Sequence, residues 1–108
     1  MPKYGNRKTT AGGRTFDSAK EAQRYQQLCL AEKAGAIRNL QMQVRRELIP
    51  AQYINGRCAE RAVTYTSDFE YDTDSGHTVE DVKGMRTKEY VIKRKLMLYI
   101  HGIRITEI

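Results

Sequence analysis

The sequence is poor in cysteine, in histidine and in long apolar runs, and each shortage excludes a class of protein. The 108 residues include two cysteines and two histidines. Cys29 lies in a helical pattern and Cys58 follows an Asn-Gly turn, so we expect reduced thiols, with no disulfide framework and no structural zinc site. No apolar run approaches the roughly 20 residues that a membrane helix requires. The basic N-terminus has no apolar segment after it, so we expect no signal peptide and a cytoplasmic protein without a membrane partner.

Positive charge is what the sequence has in excess. The formal net charge is +6 and the isoelectric point about 9.5, which favours a polyanionic partner, nucleic acid first and an anionic membrane surface second. The length suits one domain, residues 1–108, with one modest core. Its first 14 or so residues form either a frayed, solvated arm or a basic arm that contacts a phosphate backbone. These residues include no acidic side chain. Their cationic side chains are those of Lys3, Arg7, Lys8 and Arg14.

Two helices are predicted from apolar spacing and capping residues. The first begins at Asp17-Ser18, where Ser18 and Glu21 have the spacing of a capping box, and ends at Ala34 before Gly35. The second runs from about Thr87 to Ile100, before Gly102.

The rest of the chain has the patterning of short strands. A small hairpin around residues 12–13 precedes the first helix, and an Asn55-Gly56 turn marks a second hairpin. The other predicted strands are Ile37–Gln43, Val44–Ile49, an extended run from Arg61 to Tyr71, Thr78–Lys83 and Arg104–Ile108. The order hairpin-α-β-β-β-α-β predicts an α/β (α+β) fold, with a central mixed sheet flanked by two helices.

The stretch with the most chemical content joins two of these strands. Asp68 lies on the first, and Asp81 and Lys83 lie two residues apart on the second, so both point to one face. If the strands pair across a turn at residues 72–76, Asp68 lies near Asp81. Two carboxylates and a lysine at the end of a sheet can hold a hard divalent cation beside a phosphate.

The chain resembles the PD-(D/E)XK nuclease superfamily, in particular its small phage-encoded members; Holliday-junction resolvases belong to the same superfamily. The resemblance covers nearly the whole chain, and the residue before Asp68 departs from its pattern, because Ser67 stands in place of proline. It is carried by Lys3-Tyr-Gly-Asn, Phe16-Asp-Ser-Ala-Lys-Glu21-Ala, Glu32-Lys-Ala-Gly-Ala-Ile37, Leu48-Ile-Pro, Tyr65-Thr-Ser-Asp68-Phe and Glu80-Asp-Val-Lys-Gly84, with Thr87 after it.

The resemblance implies a restriction-endonuclease-like core and a role for each site residue. Asp68 and Asp81 match the two acids that bind Mg²⁺ or Mn²⁺, and the Val82 carbonyl would be a backbone ligand. Lys83 matches the lysine that orients or activates water and stabilises charge at the phosphorus. Glu21 matches an acid of resolvase-like members that completes the metal site, although a helix-capping role explains its position equally well.

Neighbouring charges have less specific roles. Glu80 points to the strand face opposite Asp81 and is expected to be structural, whereas Glu70 is expected to be solvated rather than an acid that supports the site. Both histidines are expected at the surface, His77 in a turn. Lys93 is expected to pair with Glu89 four residues before it, and a phosphate contact is the alternative. The cations assigned to DNA are those of the N-terminal arm together with Arg86, Lys88 and Lys93.

These expectations define one main hypothesis and its alternatives. The main hypothesis is a phage or prophage metal-dependent DNA endonuclease of the bacterial cytoplasm, acting in DNA recombination, repair or processing on double-stranded or branched DNA, as a Holliday-junction resolvase does. A resolvase needs two sites and hence a homodimer. The alternatives are a non-catalytic DNA-binding module that retains the nuclease fold, and a basic interaction protein of phage assembly.

Overall fold

The computed structural model describes residues 9–11, 14–16, 18–82 and 86–108. Their elements, in chain order, are β1 (Thr9–Ala11), β2 (Arg14–Phe16), α1 (Ala19–Lys33), β3 (Arg38–Ile49), β4 (Gln52–Ile54), β5 (Arg57–Glu60), β6 (Val63–Thr73), β7 (Gly76–Asp81), α2 (Lys88–His101) and β8 (Thr106–Glu107). The predicted class is confirmed, because the fold is α+β with a mixed central sheet and two helices. Neither helix of the described part is long and apolar enough to cross a membrane.

The central sheet has the strand order β3-β6-β7-β8. β3, β6 and β7 pair antiparallel, and β8 adds parallel to β7, which makes the sheet mixed. Between β6 and β7, Phe69 faces Glu80 and Glu70 faces Val79. The two remaining pairs, β1 with β2 and β4 with β5, are separate hairpins.

Each face of the sheet packs against one helix. Phe69 belongs to a buried cluster with Ala22 and Leu28 of α1, and Val79 belongs to another with Tyr90 and Met97 of α2. Because Phe69 faces Glu80 and adjacent residues of a strand point to opposite faces, Glu80 lies on the α1 side and Asp81 on the α2 side.

Both helices begin and end as their capping residues predict. The Ser18 hydroxyl accepts from the backbone N–H of Glu21, and the Thr87 hydroxyl accepts from that of Tyr90, each at 3.1 Å. Gly102 caps α2 in the left-handed region, at φ 67°, where a side chain would be strained. The caps therefore fix where α1 and α2 start relative to the sheet.

Four strand predictions need correction. Residues 38–49 form one strand, not two, because the chain passes through Gln43 in the left-handed region (φ 53°) without leaving the sheet. His77 lies in β7, not in a turn, since the turn is only two residues long. β7 ends at Asp81, whereas the predicted strand ends at Lys83, a residue that lies outside the described ones. The last strand covers only residues 106–107. The Asn55-Gly56 turn is confirmed, and both residues have the positive φ of a type I′ turn.

Candidate active site

Asp68 lies midway along β6, next to the point where β7 ends at Asp81. The Phe69–Glu80 pairing places position 68 beside position 81 in the same antiparallel register. The backbone N–H of Val82 donates to Asp68 Oδ2 at 2.7 Å, so the Asp68 carboxylate lies directly against the end of β7. The predicted proximity of the two acids is therefore a consequence of the β6–β7 hairpin.

Asp81 lies almost completely within the protein, with 1% of its surface exposed. The Tyr65 hydroxyl donates to Asp81 Oδ2 at 2.6 Å. Burial, and then the hydrogen bond to Asp81, raise the pKa of Tyr65 far above its usual range, so this hydroxyl stays protonated and remains a donor. A fixed donor on one oxygen sets the orientation of the Asp81 carboxylate at the end of β7.

Sequence reasoning did not identify Tyr65 as part of this site. Simple alternation places Asp68 on the face opposite both Tyr65 and Phe69; it is right for Phe69 and wrong for Tyr65. The Ser67 hydroxyl donates to Glu70 Oε2 at 2.7 Å. In a regular strand, residues three apart point to opposite faces, so this hydrogen bond shows that β6 departs from regular alternation between Tyr65 and Phe69. The neighbouring strand is irregular at the same level, at Gln43.

The remaining predicted site residues have mixed outcomes. Lys83 lies outside the described residues. Glu21 is half-buried in the first turn of α1, where its backbone contributes to the cap. Within the described ranges, no three or more histidine, cysteine, aspartate or glutamate side chains are grouped to hold a metal ion. The ligand role of Glu21 thus stays a prediction.

The donor set at the end of β7 nevertheless suits a hard cation. Mg²⁺ in proteins is commonly bound through one or two carboxylates and completes its octahedron with water and substrate phosphate. Asp68 and Asp81 would supply carboxylate oxygens, and Val82, 8% exposed at the end of β7, would supply a carbonyl oxygen. All of these are oxygen ligands, which Mg²⁺ and Mn²⁺ prefer over softer metals.

A polar groove of about 270 Å³ opens beside Tyr65, between β6 and the first turns of α2. Its polar lining residues include Thr64, Thr66, Thr87, Glu89 and Lys93. Lys93 Nζ lies 3.4 Å from Glu89 Oε2, which confirms the predicted pair. Tyr65, whose hydroxyl bonds Asp81, is one of the residues that line the groove.

The cations assigned to DNA are only partly described. Lys3, Arg7 and Lys8 lie outside the described residues, as does the side chain of Arg14 in β2. Lys88 is exposed at the start of α2. Arg86 is also exposed and pairs with Glu107 at 2.7 Å.

The two neighbouring glutamates are both buried structural groups. Glu80 is fully buried on the α1 side and accepts from the Arg24 guanidinium at 2.8 and 2.6 Å and from the Tyr71 hydroxyl, which confirms its structural role. Burial, and then the bond to Glu80, raise the pKa of Tyr71 to about 12. Glu70 was expected to be solvated, and that is wrong, because it is 1% exposed and bonded to both amino groups of Arg46.

Glu70 also belongs to a charged network that alternation could not reveal. His77 Nε2 lies 2.7 Å from Glu70 Oε1, and its Nδ1 lies 2.7 Å from Asp72 Oδ1. The bonds to Glu70 and Asp72 raise the pKa of His77. Burial alone would raise the pKa of Glu70, but its bonds to Arg46, His77 and Ser67 lower it below the usual value.

Comparison with known proteins yields one match. The model of a family described as "Protein of unknown function (DUF1064)" matches residues 1–106. No curated protein and no solved structure matches the chain.

Proposed function

The chain belongs to the DUF1064 family of proteins of unknown function, and we propose that it is a metal-dependent DNA endonuclease. Its reaction is phosphodiester hydrolysis with Mg²⁺ or Mn²⁺, in DNA recombination, repair or processing, and branched DNA is the first substrate to test. The observation that carries the proposal is the pair Asp68 and Asp81, side by side where β7 ends against the middle of β6.

The two acids are held in the way a metal site requires. The Val82 N–H and the Tyr65 hydroxyl each fix one carboxylate oxygen, at 2.7 and 2.6 Å. Fixed donors leave a carboxylate few orientations, which lowers the cost of organising ligands around an ion. A divalent ion held by Asp68 and Asp81 would lower the pKa of a bound water and would neutralise charge on the scissile phosphate.

The remaining chemistry is assigned to the chain's own side chains. Lys83, two residues after Asp81, orients the attacking water and stabilises the charge that builds on the phosphoryl oxygens. Glu21, from the first turn of α1, is the third acid in this assignment. The net charge of +6 favours a polyanionic substrate.

Incubation of the protein with linear, nicked and four-way-junction DNA in Mg²⁺ or Mn²⁺ tests the proposal. We expect metal-dependent cleavage of at least one substrate. Asp81→Asn, Asp68→Asn and Lys83→Ala are each expected to reduce the rate by at least about 100-fold, because each removes a ligand or a charge used in the transition state.

Asp74→Asn is the matched control, because it makes the same chemical change at a carboxylate that is 99% exposed in the β6–β7 turn. It is expected to cleave at the wild-type rate. Cleavage that survives Asp81→Asn, or survives EDTA, would show that the activity does not come from this site. DNA binding by the wild type with no cleavage under any of these conditions would instead identify a non-catalytic binding module.

A further inference from the structure

A second groove, of about 320 Å³, lies between α2 and the segment around β8. It is lined by Arg94, Lys95 and Leu98 of α2 together with Arg104, Ile105 and Glu107 around β8. Three of these side chains are cationic and one is acidic. We propose that this groove binds a backbone phosphate of the DNA strand that crosses the end of β7.

The single acid of the groove is already compensated. Glu107 accepts from the Tyr90 hydroxyl at 2.7 Å and pairs with Arg94 at 3.1 Å and Arg86 at 2.7 Å. The bond from Tyr90 lowers the pKa of Glu107, burial opposes it, and Arg94 and Arg86 lower the pKa further. The net direction is downward, so Glu107 stays ionised and holds Arg94 in place. Arg94 also lies over the Tyr90 ring, 6.0 Å from its centroid.

The other two cations supply the excess charge. Lys95 and Arg104 are both exposed, and neither has an ion pair within residues 18–82 and 86–108. They stand on opposite walls of the groove, one on α2 and one just before β8. A planar guanidinium and an ammonium facing one opening suit a phosphodiester oxygen pair.

Two apolar residues also line the groove, which favours a nucleotide over a free ion. They are Ile105, which is buried, and Leu98, which is 49% exposed. A sugar can lie against this surface while its phosphate contacts the rim, as phosphate and sugar contacts commonly fix register on DNA.

The groove lies close to the proposed catalytic residues, because its residue Glu107 is the strand neighbour of Asp81. Asp81 and Glu107 face each other in the parallel β7–β8 pair. Neighbouring strands are about 4.8 Å apart, so the groove begins one strand beyond Asp81. The inference rests on the proposed DNA substrate, but it does not depend on cleavage.

Anisotropy of a short labelled duplex in EDTA, measured across a salt series, tests the groove without turnover. We expect Lys95→Ala with Arg104→Ala to weaken binding about tenfold or more, since removing one charged hydrogen bond changes affinity by about a factor of ten or slightly more. The slope of log affinity against log salt should fall by about 0.9 for each phosphate that the variant no longer neutralises.

Arg57→Ala with Arg61→Ala is the control, because it removes the same charge from exposed positions in and beside β5. It is expected to keep the wild-type slope. An equal weakening in both double variants would mean that only net charge matters and would overturn the groove assignment. Competition by poly-glutamate as effective as by unlabelled DNA would point to an acidic protein partner and would overturn it as well.

The outcomes separate this inference from the proposed function. If the Lys95/Arg104 double variant binds DNA with unchanged affinity and salt slope while metal-dependent cleavage is intact, the groove assignment is wrong and the proposed nuclease function stands. If that variant binds DNA more weakly and the wild type does not cleave DNA, the groove assignment is supported and the proposed nuclease function is wrong.

Discussion

At the scale of single residues, the unusual feature is how many carboxylates are buried. Glu70, Glu80 and Asp81 are each 0–1% exposed. A buried carboxylate is costly unless it is hydrogen-bonded and paired, and the two glutamates each have an arginine and a hydroxyl donor. The third, Asp81, accepts a hydrogen bond from the Tyr65 hydroxyl at the end of β7.

The hydrogen bonds of His77 make a testable contribution to the pH dependence of stability. The pKa of His77 is raised in the folded protein, so its bonds to Glu70 and Asp72 stabilise fully below the unfolded pKa of about 6.5. That contribution disappears as pH rises through the folded pKa. The lowered pKa of Glu70 has the opposite pH dependence. Its contribution to the stability of the folded protein is present above the ordinary glutamate pKa of about 4.3 and is lost as pH falls below it.

We therefore predict that His77→Gln lowers the melting temperature most near about pH 6, and that its difference from the wild type shrinks toward about pH 8. Thermal unfolding followed by circular dichroism at a series of pH values measures this. His101→Gln serves as the control, since its Nε2 bonds the backbone carbonyl of Glu47 at 2.9 Å. A His77→Gln difference that is constant across this range contradicts the account.

At the scale of elements, the β4–β5 hairpin differs from the rest of the fold. All residues of both strands are exposed, including Tyr53 and Ile54 at 66% each. Both strands belong to a sheet of their own, separate from the central one. The strands that it connects already face each other at Ile49 and Val63.

Replacing residues 51–62 with a two-residue turn should therefore leave the fold intact. The deletion removes mainly exposed side chains and shortens a loop, so we predict a change in melting temperature of no more than about 5 °C. Met97→Ala, at a fully buried position of α2, is the contrast and should cost about 2–5 kcal/mol. A hairpin deletion as destabilising as Met97→Ala would show that the hairpin supports the core.

The elements themselves were largely predictable, and the reason is local. Capping residues and glycines mark both helices, and Asn55-Gly56 marks the exposed hairpin, because these signals depend only on near neighbours in the chain. The Asp68–Asp81 proximity was also predictable, since a hairpin with a short turn has a fixed register. The hydrogen bonds of Tyr65 and Glu70 could not be predicted in this way. They depend on local departures from regular strand geometry in β6 and β3, and strict alternation of side chains does not include such departures.

At the scale of the whole molecule, the proposed chemistry collects around the end of β7. The Asp68–Asp81 pair and the Glu107-anchored groove occupy neighbouring strands, and both approach α2. The Glu80 network lies on the opposite face, against α1.

The central claim is that Asp68 and Asp81 together hold a divalent ion, and Mn²⁺ binding followed by electron paramagnetic resonance of the free ion tests it most directly. We predict that the wild type and Asp74→Asn remove Mn²⁺ from solution with the same stoichiometry, because Asp74 lies in the exposed turn. Asp68→Asn and Asp81→Asn should each weaken that binding by about tenfold or more. Mn²⁺ binding that is absent in the wild type, or unchanged in both site variants, would contradict the account.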